Sequence, residues 1–137
     1  MKKILFLFVS TLVLGLTSCS KDDDSNSTPA SIEGKWDYFQ EGLLVGNQEI
    51  LEAYSHDCTT NKDYTEFVAG GVLRDVYHYD DCEEEIDLGT WSRNGSSLTV
   101  TIGGETTNAE ILTLDDQTLK VKATVEGMTY LQVFKRR

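Results

Sequence analysis

The chain predicts an all-β fold, a small antiparallel up-and-down barrel of about eight strands. Two runs alternate strictly, Leu98-Thr99-Val100-Thr101-Ile102 and Leu119-Lys120-Val121-Lys122-Ala123-Thr124-Val125, each presenting one apolar face. Between such runs fall Asn94-Gly95, Gly103-Gly104, Asp115-Asp116 and Glu126-Gly127, residues that tolerate the positive φ of tight hairpin turns. No segment of the folded part carries a convincing long helical pattern.

Ahead of the folded part comes a targeting segment. Lys2 and Lys3 precede the apolar stretch Ile4–Leu16, and Leu16-Thr17-Ser18-Cys19 ends it with small residues leading into a cysteine. Thirteen residues make roughly 20 Å of helix at about 1.5 Å each, against a hydrocarbon core of about 30 Å, so a cleaved signal fits better than a permanent span. Leu16-Thr17-Ser18-Cys19 resembles the bacterial lipobox, in which the cysteine sulfur is acylated before cleavage. The resemblance implies a signal peptide over 1–18 and lipid attachment at Cys19, with several acyl chains giving a stable membrane anchor. The other reading is a plain signal peptide with an accidental cysteine. Ser20-Lys21-Asp22-Asp23-Asp24 resembles the export tag of Bacteroidota surface lipoproteins, which implies the outer face of an outer membrane; a solvated charged spacer is the alternative.

Residues 19–32 then read as lipidated cysteine and flexible linker, rich in Ser, Asn, Asp and Thr, and 33–137 as one domain of about 105 residues, room for a single core. Loss of Lys2 and Lys3 takes the formal net charge from −11 to −13, which argues against nucleic acid and anionic lipid as partners and favours a cationic partner or simple solubility. Cys58 and Cys82 remain in an oxidising compartment and are expected to pair. Closing about 24 residues stabilises the fold by roughly 3 kcal/mol in the chain-entropy picture. A metal or redox pair is the rival, but there is no C-x-x-C, and His56 and His78 supply no ligand spacing.

The strands follow in order. Lys35–Gly46, Tyr64–Val68 and Val72–Tyr79 give three; five more follow from residue 84 onward, including Thr106–Leu114 and Met128–Lys135. Asn47–Tyr54 reads equally as a short helical turn through Glu49-Ile50-Leu51-Glu52-Ala53. Eight such strands either close as a barrel, which removes exposed edges, or split into a sandwich.

Gly34-Lys35-Trp36 has the glycine-x-tryptophan spacing that opens lipocalins, where the tryptophan plugs the closed end. With Cys58, the segment ending in Gly70-Gly71, Cys82, Gly89-Thr90-Trp91 and the closing Thr129–Lys135, the chain over 33–137 resembles the lipocalin-like lipoproteins of Bacteroidota. The resemblance implies a barrel that holds a small apolar ligand at its open end. Trp36, Tyr38, Phe39, Phe67, Trp91, Tyr130 and Phe134 are then candidates to line a pocket. In so short a barrel they are expected first as core, leaving at most a shallow mouth.

Other constellations carry less. Ser55-His56-Asp57 has the residue types of a hydrolase triad, but adjacent residues on an extended chain point to alternate sides, and no G-x-S-x-G elbow is present. Asp80, Asp81, Glu83, Glu84, Glu85 and Asp87 crowd around Cys82; a solvated acidic loop is expected there, since the spacing of a calcium loop is missing. A cationic protein partner would meet the chain at that loop. His78, between Tyr77 and Tyr79, is assigned no role, whether it faces the barrel interior or a hydrogen-bonding partner. No cofactor is implied, and no enzyme activity is expected.

Overall fold

The computed structural model describes residues 30–137. The signal peptide at 1–18, Cys19, the export tag and nearly all of the linker lie outside the described residues. Nine strands form one sheet: β1 (Gly34–Val45), β2 (Gln48–Ala53), β3 (Tyr64–Val68), β4 (Val72–His78), β5 (Glu84–Asn94), β6 (Ser97–Ile102), β7 (Glu105–Leu114), β8 (Thr118–Val125) and β9 (Met128–Arg136). Every pairing is antiparallel, and β9 returns to β1, so β1 and β3 to β9 close into an eight-stranded barrel. Closure leaves the ring without a continuous free edge.

The ninth strand is β2. Its Glu49-Ile50-Leu51-Glu52 stretch is extended rather than a helical turn, because it pairs residue for residue with β1, from Gln40↔Ala53 to Val45↔Gln48. Strand β1 therefore serves two partners along one edge: Gly34–Asp37 pair with β3, and Gln40–Val45 pair with β2. A bulge falls at the junction, where β9 shifts register between Tyr38 and Gln40. Beyond it the inward set changes from even to odd positions: Trp36 and Tyr38 point in, then Glu41 and Leu43. At Gly42 the two strands approach so closely that a Cβ would lie 1.8 Å from the Ile50 carbonyl oxygen. Lys120, on the outer face of β8, reaches Glu49 of β2 at 2.5 Å, so this hairpin curls over the outside of β8 and β9. Leu131 and Val133, which face outward, are buried there.

The expected alternation holds elsewhere. Leu98, Val100 and Ile102 face inward on β6, as do Leu119, Val121 and Ala123 on β8 with Lys120 and Lys122 outside. One end of the barrel is solid: Ile32, Trp36, Phe67, Leu73, Leu98, Ile111, Leu119 and Phe134 form a single cluster. Trp36 is wholly buried and donates its indole N–H to the Ile32 carbonyl at 2.7 Å. Ile32 thus belongs to the folded unit, one residue earlier than the boundary read from composition. The Arg136 guanidinium lies 4.0 Å from the Trp36 ring centre and donates to the carbonyls of Ser31, Glu33 and Asp116. It seals the floor of the barrel from outside.

A second, smaller core lies outside the barrel wall. Val76 and His78 on β4 and Tyr64 on β3 are buried on the outer face, beneath the segment 54–63. Cys58 and Cys82 are disulfide-bonded, joining that segment to the turn before β5. Cys82 adopts a left-handed φ of 64°, and its N–H closes the turn onto the Tyr79 carbonyl.

Candidate functional site

Above the solid floor the barrel is hollow. A cavity of about 180 Å³ lies between Val100, Ile102, Ala109, Leu119 and Val121 on one side and Tyr38, Thr65 and Asp75 on the other. A second space of about 340 Å³, bounded by Glu41, Leu43, Tyr130 and Gln132, shares Val121 and Ala123 with it. Small inward residues make the room: Ala109 and Thr107 follow Ile111 along β7, and Ala123 follows Leu119 and Val121 along β8, toward the mouth. The expectation of a barrel filled by its own side chains holds for the floor and fails for the upper half.

The polar wall is built by ring closure. Register places Thr65 of β3 opposite Asp75 of β4, and Asp75 opposite Asp87 of β5, all on the inward face. The Tyr38 hydroxyl, arriving from β1, lies 2.8 and 3.0 Å from the two oxygens of Asp75; the Tyr77 hydroxyl donates to Oδ2 at 2.7 Å. Tyr38 in turn stacks between Tyr54, at 4.8 Å, and Tyr77, at 6.1 Å. Burial pushes the Asp75 carboxyl above its usual range; the two tyrosine bonds oppose this, and the charges of Asp87 and Asp63 add to it. Burial likewise raises Tyr38 and Tyr77, with Asp75 as the next cause.

The proposed lining aromatics separate by depth. Trp36, Phe67 and Phe134 are core, and Trp91 packs edge-on against Phe67 while its indole N–H donates to the Val68 carbonyl. Phe67 and Phe134 also form the cavity floor. Tyr38 and Tyr130 line the open space, whereas Phe39, at the bulge, is turned outward under Lys135. Asp75, Tyr54 and Tyr77 were not singled out by the sequence. The signal was there for two of them, since Leu73-x-Asp75-x-Tyr77 continues the inward face of a strand.

The acidic stretch is not one loop. Glu84, Glu85 and Asp87 lie in β5, and alternation sends Glu85 and Asp87 inward while Glu84 turns out toward His78. Only residues 80–83 remain as a turn. Among the described residues no group of three or more His, Cys, Asp or Glu side chains converges as a metal site. His78 faces the outer core rather than the barrel interior; its backbone N–H donates to Asp63 Oδ1 at 2.7 Å, and Tyr54 donates to Oδ2. His56 accepts from the Asp63 N–H at 3.0 Å.

The lipocalin-like domain family matches residues 32–121. A structure of an uncharacterized protein from Bacteroides eggerthii superposes with a TM-score of 0.58 at 12% identity, covering 78% of this chain and 100% of that one. A lipocalin-like protein from Bacteroides uniformis gives 0.58 at 13% identity, over 77% and 97% of the two chains. Lobster apocrustacyanin A1 gives 0.52 at 15% identity, over 77% and 60%. At such identities the likeness is one of fold. No curated protein matches the sequence.

Proposed function

Since the chain belongs to the lipocalin-like domain family, we propose that it is a membrane-anchored extracytoplasmic binding module, tethered through Cys19, that holds a small ligand with an apolar body in the mouth of its barrel. The observation that carries this reading is the pair of adjoining cavities walled by Val121 and Ala123 and apolar along β6 to β8. Pockets of a few hundred cubic ångströms with a few placed polar groups are typical of small-molecule sites. The resemblance of Leu16–Cys19 to a lipobox and of Ser20–Asp24 to an export tag supports an anchor on the outer membrane facing the medium.

Native mass spectrometry of the protein purified from membranes tests the binding reading. A co-purified small mass that disappears on denaturation is the expected result, and a clean apo mass at all conditions contradicts it. For the anchor, Cys19→Ser is expected to move the protein from the membrane fraction to the soluble one. A second reading, a module for a cationic protein partner, draws on the outward acids Asp80, Asp81 and Glu83 on the disulfide-pinned turn, all solvent-exposed except Asp81's bond to the Glu83 N–H.

A further inference from the structure

The mouth of the barrel carries an unbalanced set of charges. Glu41 on β1, Asp75 on β4, Glu85 and Asp87 on β5 and Glu105 on β7 all occupy inward positions in its upper half, by the registers Glu41↔Gln132, Asp75↔Asp87, Tyr77↔Glu85 and Ile102↔Glu105. None of the five takes part in an ion pair among the described residues. The basic residues at the barrel ends, Arg93 and Arg136, both sit at the floor, where Arg93 donates to the Gly95 carbonyl and Arg136 covers Trp36. Lys120 and Lys122 face outward and are engaged by Glu49 and Glu110. No cation of the described chain neutralises the mouth.

Asp75 is the deepest of these acids, with 6% of its surface exposed. Its two tyrosine partners leave acceptor capacity unused, since a carboxylate has about four lone-pair sites. Tyr38 borders the same cavity beside it, held in place by the stacked rings of Tyr54 and Tyr77. A bare metal ion does not fit, because no three acids converge. A charge carried on a larger, partly apolar body does: the wall of Val100, Ile102 and Val121 faces the carboxylate across the same cavity. Burying a carboxylate with no cation beside it costs stability even where tyrosine hydroxyls bond it, so its place beside an apolar space is unexplained by packing alone.

We infer that the ligand of this barrel is an organic cation, an amine with an apolar or aromatic body, whose ammonium meets Asp75 beside Tyr38 while its body lies against Val100, Ile102 and Val121. The inference rests on the binding reading above and specifies its chemistry. Charge at Glu41, Glu85, Asp87 and Glu105 draws such a ligand to the mouth, and the screened part of that attraction weakens with salt.

The test is isothermal titration of the full-length protein with three probes of one shape, 4-phenylbutylamine, 4-phenylbutanol and 4-phenylbutanoate. The amine is expected to bind at least tenfold more tightly than the alcohol, and the carboxylate most weakly. Asp75→Asn, which keeps an acceptor for the tyrosine hydroxyls, is expected to bring the amine down to the alcohol's affinity. Asp87→Asn, at the exposed rim, is expected to weaken the amine about two- to threefold, which reads the field of the mouth should Asp75→Asn not fold. Equal binding of all three probes, or tightest binding of the carboxylate, overturns the cationic ligand and leaves the binding module standing. No binding of any probe overturns both.

Discussion

The floor and the mouth of this barrel are made by the same strands and differ in what those strands send inward. At the floor, Trp36, Phe67, Leu73, Leu98, Leu119 and Phe134 interlock, and the nearby arginine is spent on the outside, capping Trp36. One layer up, the inward positions turn to Ala109, Ala123, Thr107, three tyrosines and unpaired acids around open space. The floor is arranged for stability; the mouth gives stability up, with room and buried charge that a solid core would exclude. Substitutions in the two halves should therefore behave in opposite ways.

Removal of the plug has the largest expected effect. Trp36→Ala deletes a wholly buried indole and its bond to Ile32, and should cost about 3–5 kcal/mol in denaturant unfolding. The double variant Cys58→Ser, Cys82→Ser frees segment 54–63 from the turn before β5 and should cost about 2–4 kcal/mol, read as a drop in melting temperature. Because that segment brings Tyr54 onto Tyr38, it should also disturb the mouth while leaving near-ultraviolet signals from Trp36 in place.

Asp75→Asn sharpens the comparison from the other side. The carboxyl is raised in the folded state, chiefly by burial. For an acid raised in this way, ionisation opposes folding: the penalty is absent below the unfolded value of about 3.9 and present once pH passes the folded value. The variant is therefore expected to be more stable than the parent at neutral pH, with the difference vanishing below about pH 4. Thermal unfolding of both proteins across that range measures it. A variant less stable at every pH would place Asp75 among the groups that hold the fold.

Much of the floor was legible in the sequence because local pattern decides it. The strict runs at 98–102 and 119–125 give their inward faces directly, Gly34-x-Trp36 marks the plug, and the compartment implied by the N-terminus pairs Cys58 with Cys82. The mouth was less legible, for physical reasons that can be named. The bulge between Tyr38 and Gln40 reverses the inward parity of β1, so extending the pattern from Trp36 assigns Gln40 and Gly42 to the wrong face. The acids at 80–87 look like one charged loop until β5 alternates them inward and outward. Glu49–Ala53 reads as helical until it is paired with β1. Tyr38 and Asp75 stand 37 residues apart and meet only because β3 carries β4 around the ring.

The claim that the upper barrel is hollow is tested most directly by the unfolding free energy of Ala123→Leu. Ala123 borders both cavities, and enlarging a residue in a filled core costs about 1–3 kcal/mol. In a hollow mouth the added carbons find room, so the account predicts stability equal to or above that of the parent. A loss of about 1–3 kcal/mol would show the space already filled and contradict it.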